Sequence, residues 1–288
     1  MNAIYDQGES QSIARIVFED VFKVYNFNRE DSLSEDQITQ LTIITQRLLQ
    51  YEPVQYVLGE ADFYGLKFRV NANVLIPRHE TEELVYWIIE TVKERSRRTM
   101  DIEYRVNPSD LIPQHLSVST LLDIGTGSGC IPITIKKKCP EITVHALDVS
   151  DGALEVAHEN AMLNRVEVAF HLMDILNETR WEELPTFDII VSNPPYIPMK
   201  EKALMPTHVL AFEPSLALFV ENDEPLLFYQ IICSFAMQKL KKGGLLFFEL
   251  NEFSGEKVLD WMKQTGFQEC ELKKDLNGKI RMAKGQKN

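Results

Sequence analysis

Asn193-Pro194-Pro195-Tyr196 follows the apolar run from Phe187 to Val191, which sets a polar, proline-stiffened corner at the end of a strand. Two prolines fix φ and remove two backbone donors, leaving carbonyl acceptors exposed. The Asn193 side chain adds another carbonyl oxygen, and Tyr196 adds a flat aromatic face. The set suits a planar group bearing NH₂. One N–H can go to the Asn193 oxygen and the other to the Pro194 carbonyl, with Tyr196 against the plane. Such a site works by positioning and electrostatics, without a strong base. Asn193, Pro194 and Tyr196 are the candidate catalytic residues, and Pro195 joins them in the candidate substrate-binding corner. A proline-rich turn is the alternative for the same residues.

A second constellation lies upstream. Leu121-Leu122-Asp123-Ile124 runs into Gly125-Thr126-Gly127-Ser128-Gly129 and then into a helical stretch. Glycines there let a ligand approach the backbone, and the helix start offers free N–H donors. The next strand ends at Asp148, where an acid can accept both hydroxyls of a ribose. Together they point to an adenosine cofactor, although the glycine loop alone does not separate a dinucleotide from other adenosine ligands. A tight turn and a strand-end cap are the structural alternative.

Both constellations need a parallel sheet to hold them on one edge. Strands are expected at 120–124, 142–147, 166–172, 187–191 and 245–250, with helices near 129–138, 151–163, 225–241 and 254–265. This alternation implies an α/β fold with helices on both faces of the sheet, closed by an antiparallel pair within 267–283. Upstream, Ile13, Ile16, Val17, Val21 and Val24 recur at helical spacing. A capping box at Ser34 and Gln37 opens a second helix with the stripe Ile38, Leu41, Ile44 and Leu48. The domains expected are a helical bundle over 1–60, a linking β-hairpin over 61–76 turning at Gly65, and an α/β domain over 77–288. A helix is expected from Glu80 to Arg97, then a surface loop from Ser96 to Ser119. Lys136-Lys137-Lys138 reads as a solvated helix end.

Composition narrows the partners. Of 288 residues, 43 are acidic and 30 basic, a net charge of −13, which disfavours nucleic acid as the main partner. Hydrophobic residues at 44% leave ample material for a core. No apolar run of about 18 residues suggests a membrane span, and residues 1–12 lack a secretion signal. The four cysteines are widely spaced and the six histidines scattered, so neither a metal site nor a disulfide framework is expected, and a reducing cytoplasm fits.

With these residues in view, the chain resembles the class I S-adenosylmethionine-dependent methyltransferases that act on planar nitrogen. Glu52-Pro53-Val54-Gln55-Tyr56-Val57-Leu58-Gly59, Phe63-Tyr64-Gly65, Leu75-Ile76-Pro77-Arg78-His79-Glu80-Thr81-Glu82 and Phe212-Glu213-Pro214 narrow the resemblance to the HemK-type protein-(glutamine) methyltransferases. The resemblance implies a Rossmann-like, seven-stranded, mostly parallel sheet with a small N-terminal helical bundle that grips the substrate protein. It implies S-adenosyl-L-methionine as cofactor and the glutamine of the Gly-Gly-Gln motif in peptide-chain release factors as substrate. By transfer, Gly125, Thr126, Gly127, Ser128 and Gly129 would line the methionine part, and Asp148 would hold the ribose. Asp174 and Ile175 would lie along the adenine, and Asn193 would contact both cofactor and glutamine amide. A cytoplasmic monomer without metal is expected.

Two departures stand out. His79 occupies a position where the family more commonly has proline, and the stretch from Ser96 to Ser119 is longer than expected. Arg78 and Glu80 fit either a place beside the cofactor or a salt bridge and helix cap, and Glu213 is a candidate brace for the Asn193 loop. Three other functions share these features: a ribosomal-protein glutamine methyltransferase, an adenine-N6 nucleic-acid methyltransferase that flips a base into the same corner, and an inactive adaptor of the translation apparatus.

Overall fold

Every residue from Phe187 to Ser192 is buried, so both faces of that strand are covered. In the computed structural model, which describes residues 5–26, 32–105, 119–220 and 224–288, it lies inside a seven-stranded sheet. The chain starts with helices α1 (Gln7–Asp20), α2 (Glu35–Leu48) and α3 (Val54–Leu58), then the hairpin β1 (Glu60–Phe63) and β2 (Leu66–Arg69). Helix α4 (His79–Arg105) leads to β3 (Thr120–Ile124), α5 (Cys130–Lys138), β4 (Thr143–Asp148), α6 (Asp151–Asn164) and β5 (Ala169–Leu172). Next come β6 (Phe187–Ser192), β7 (Ile197–Pro198), α7 (Thr207–Phe212), α8 (Ser215–Leu218) and β8 (Phe219–Val220). The chain closes with α9 (Leu227–Lys239), β9 (Leu240–Glu249), α10 (Gly255–Thr265), β10 (Gln268–Lys274) and β11 (Ile280–Gln286).

The large sheet has the order β10-β11-β9-β6-β3-β4-β5, parallel from β9 to β5, with β11 and β10 antiparallel. Register decides function here. Ile124 pairs with both Leu147 and Ser192, and Ser192 pairs with Phe248. The residues that follow, Gly125, Asp148, Asn193 and Glu249, therefore emerge side by side at the carboxyl edge.

Strand alternation divides the core. Leu121, Ile189, Val191, Leu245 and Phe247 face Ile88 and Ile133, from α4 and α5. Leu122, Ile190, Leu246 and Phe248 face Tyr229 and Phe235 of α9 and Met262 of α10. Burying each such side chain contributes about 1.5–3 kcal/mol, which fixes the register against slippage.

The N-terminal helices have their own core of Ile13, Val17, Phe22, Ile44, Leu48, Val54 and Val57. The Ser34–Gln37 capping box is present. The α2 stripe is narrower than the pattern suggests: Ile44 and Leu48 are buried, Leu41 packs partly, and Ile38 is 52% exposed. Among the described residues, the buried positions of α2 are the two at its end nearest α3.

Other expectations shift. Helix α4 runs to Arg105, into the stretch read as a loop, because no glycine or proline intervenes and charged helix formers sustain it. Residues 106–118 of that expected loop lie outside the described residues. Strand β9 begins at Leu240, five positions before the apolar run that marked it. Lys137 and Lys138 are exposed, as a solvated helix end implies, and all three lysines ending α5 also make contacts. Lys136 Nζ donates to the Pro140 and Ile142 carbonyls at 2.7 Å, Lys137 Nζ to the Asn164 carbonyl at 2.9 Å, and Lys138 lies over the Tyr64 ring. Backbone carbonyls in the loop after α5 draw Lys136, and one at the end of α6 draws Lys137. Among the described residues no helix is long and apolar enough to cross a membrane, and no group of three or more His, Cys, Asp or Glu is placed to hold a metal.

Candidate active site

The turn after β3 has left-handed backbone at Gly125 (φ +75°), Gly127 (φ +53°) and Gly129 (φ +78°). A Cβ on Gly125 or Gly127 would meet no atom within 4 Å, so both border open space. A Cβ on Gly129 would lie 2.8 Å from Ile133 Cδ1 and 3.2 Å from Ala157 Cβ, so this glycine permits helix packing instead. The amides of Gly125 and Thr126 donate to the Leu147 carbonyl at 2.9 and 3.0 Å, which ties the turn to β4.

Asp148 ends β4 and is buried. Its Oδ2 accepts from the Gly127 amide and its Oδ1 from the Ser150 amide, both at 2.9 Å. Burial raises its pKa and the backbone bonds oppose that rise. No cation pairs with it among the described residues. Beneath the turn, Asp123 is fully buried; burial pushes its carboxyl up to about 7, with Thr126 opposing and Asp148 adding to the rise. Neither Asp123 oxygen, nor Thr126 Oγ1, has a hydrogen bond of sound geometry.

These residues border a cavity of about 320 Å³. Gly125, Thr126, Gly127, Ser128 and Asp148 line one side, Asp174 and Ile175 a second, and Asn193, Pro194 and Pro195 a third. Gly129 and Tyr196 do not line it. Tyr196 turns toward β7 and packs against the buried cluster containing Tyr229, and burial pushes its hydroxyl up to about 12. Asp174 Oδ1 also accepts from the Leu176 amide at 2.9 Å, so it shapes its turn as well as the wall.

The remaining walls come from residues that the motifs leave unassigned. Tyr56 Oη donates to the Val74 carbonyl at 2.6 Å and fixes the segment Ala72–Pro77 against the opening. Buried Asn160 accepts from the Arg69 amide at 2.6 Å and donates to the Ser128 carbonyl at 2.8 Å, linking hairpin to glycine turn. Arg78 and Glu213, open between two readings in the sequence, form a salt bridge in which Arg78 Nη2 lies 2.7 Å from both carboxylate oxygens. Arg78 also lines the cavity, with Pro214, Leu216 and Ala217 beside its partner. His79 points to solvent, its side chain 96% exposed and 3.8 Å from Glu82. Glu249 lies buried behind Asn193. An acid closing an apolar strand was the available signal for it.

Comparison with known proteins places this arrangement. Residues 105–212 match the model of the methyltransferase small domain. A release factor glutamine methyltransferase of Flavobacterium psychrophilum is 40% identical, over 98% of this chain and 93% of that protein. This chain belongs to the release factor glutamine methyltransferase family. A second member, from Bacteroides thetaiotaomicron, is 36% identical over 91% of this chain and 86% of its own length. The hMettl16 catalytic domain shares the fold, with a TM-score of 0.57 at 15% identity over 96% of this chain and 91% of that one.

The fold and the family imply S-adenosyl-L-methionine as methyl donor, and the residues fit it. Open glycines leave room against the turn, and Asp148 offers a carboxylate at ribose position. The charged side chains on the wall are Asp148, Asp174 and an Arg78 already neutralised by Glu213, so the lining favours a cation.

Proposed function

We propose that this chain transfers a methyl group from S-adenosyl-L-methionine to the side-chain amide nitrogen of the glutamine in the Gly-Gly-Gln motif of peptide-chain release factors. One observation carries the reading: the rigid Asn193-Pro194-Pro195 corner opens on the same cavity as the glycine turn and Asp148. When bound, the cofactor supplies an electrophilic methyl on a sulfonium.

The residues of this chain do the positioning. Gly125, Thr126, Gly127, Ser128 and Asp148 hold the cofactor, and Asp174 and Ile175 flank its base. The Asn193 side-chain oxygen and the Pro194 carbonyl accept the two N–H groups of the glutamine, while Pro195 keeps the corner stiff. Tyr196 anchors that corner through its packing against the core. A neutral amide is a weak nucleophile because its lone pair is delocalised, so orientation within about 3–3.5 Å of the methyl carries the acceleration. One C–S bond breaks, one C–N bond forms, and one amide proton leaves to water.

The reading extends to the rest of the molecule. Residues 1–60 serve as the release-factor-binding unit, 61–76 as the link and 77–288 as the methyl-transferring unit. The exposed Ile38 and Ile43 of α2 support a protein-facing bundle. The chain acts as a cytoplasmic monomer that binds no nucleic acid directly, in keeping with its net charge of −13.

Mass spectrometry of a release factor incubated with this protein and cofactor tests the function. A methyl group on the Gly-Gly-Gln glutamine is the expected result. An unmodified glutamine, beside methylation of a ribosomal protein or an adenine, overturns it.

A further inference from the structure

Glu249 ends β9 one position beyond Phe248, whose register partner is Ser192, so its side chain stands next to the Asn193 corner. It is 3% exposed. Thr81 Oγ1, from the first turn of α4, donates to Glu249 Oε2 at 2.6 Å. The Asn193 carboxamide is a neighbour of the same carboxyl and opposes the rise in its pKa, as an N–H donor would. A carboxylate has only acceptors, so the Asn193 end that suits it is the NH₂.

A carboxamide has two faces that differ by a half-turn. With its NH₂ turned to Glu249, Asn193 would present Oδ1 to the cavity, where it can accept an N–H. Turned the other way, it presents NH₂, which repels an incoming NH₂ group. We propose that Glu249 is a positioning residue that fixes the half-turn of Asn193 and thereby makes the corner selective for an NH₂-bearing acceptor. The proposal rests on the glutamine-amide reading above and adds a second layer to it.

The surroundings of Glu249 agree with an acceptor held near its switching point. Burial pushes its carboxyl up to about 7. Thr81, Arg281 of β11 and Asn193 oppose that rise, and Glu80 of α4 adds to it. The Glu249 charge is also felt at Tyr196, Tyr229 of α9 and Cys130 of α5. Protonated, Glu249 gains an O–H that can donate to Asn193 Oδ1, which releases the opposite half-turn. Transfer then weakens as pH falls below about 7.

Two measurements test this. In protein labelled with ¹⁵N-asparagine, the Asn193 side-chain NH₂ pair, assigned by its loss in Asn193→Ala, should shift downfield at pH 8 and titrate near 7. Glu249→Gln should remove both features. The spectrum needs no substrate, so it reads the half-turn even if release factor proves not to be the acceptor. In single-turnover assays on a Gly-Gly-Gln peptide, Glu249→Gln should lower the rate about 100-fold, leave the KM for cofactor unchanged, and abolish the acid limb of the profile. Thr81→Val should weaken the rate in the same sense, and Thr81→Ser, which restores the hydroxyl, should recover it. An Asn193 resonance unmoved by Glu249→Gln, or a folded Glu249→Gln enzyme at the wild-type rate, overturns the proposal. Failure of the wild-type enzyme to methylate the peptide refutes the glutamine reading instead, and the spectrum still decides the orientation.

Discussion

Arg78 and Glu213 lie 135 positions apart in the chain and meet at the cavity wall, where a single guanidinium nitrogen, Nη2, is 2.7 Å from each carboxylate oxygen. Glu213 is buried and Arg78 is partly exposed, so the glutamate depends on the arginine more than the reverse. Arg78→Ala would leave a buried carboxylate unpaired. With Arg78 partly in water, the expected loss is about 1–3 kcal/mol of stability, together with weaker cofactor binding. Urea unfolding and calorimetric titration measure the two. An unchanged midpoint and affinity would show the bridge to be incidental.

Asn193→Ala separates binding from transfer. The cofactor should still bind with near wild-type affinity, because the glycine turn and Asp148 remain. Methyl transfer should slow by about 10²–10³-fold, the usual cost of removing one preorganised group at the reacting centre. Calorimetry and single-turnover kinetics check the pair, and turnover at the wild-type rate contradicts the clamp.

Two glycines in one turn should respond differently to alanine. Gly129→Ala drives a Cβ to 2.8 Å from Ile133 Cδ1 and should cost about 2–4 kcal/mol of stability. Gly127→Ala meets nothing in the protein, so its stability cost should be about 1 kcal/mol, while the methyl enters the space reserved for cofactor. Denaturation with and without cofactor distinguishes them. Equal stability losses would mean that the packing around Gly129 is looser than its contacts indicate.

Acid and base should act oppositely on the buried Asp123. Its folded form titrates near 7 against an ordinary value of 3.8, so the native state holds more protons than the unfolded state between those limits. Stability therefore falls as pH rises through that window. Glu249 contributes in the same direction between 4.5 and about 7. Asp123→Asn removes the Asp123 part. Relative to wild type, the variant should gain about 2–4 kcal/mol more at pH 8 than at pH 4. Scanning calorimetry of the cofactor-free protein at the two pH values measures it, and a difference independent of pH would mean that Asp123 stays ionised at little cost.

What the sequence makes legible is local. Ser34 and Gln37 announce a helix start because a capping box spans four residues. Thr120 to Ile124 announces a buried strand because its apolar run feeds directly into glycines. The five parallel strands follow from the alternation of such runs. What escapes is long-range or lacks periodicity. The Asn160 link between hairpin and glycine turn joins residues 91 apart, and no pattern along the chain marks it. Helix α4 outruns its expected end because no glycine or proline interrupts the run of helix formers beyond Arg97. Tyr196 reads as a cavity face from its neighbours, yet the turn into β7 carries its ring to the core.

Strand β6 is clamped by β3 on one flank and β9 on the other, with apolar layers above and below. The corner it carries consequently has no hinge. A descendant of this enzyme could not reach a different acceptor by sliding its backbone, since any displacement would tear two ladders at once. New substrates would have to be won at the rim, through exchange of the side chains that meet the incoming protein, while the chemical centre stays still.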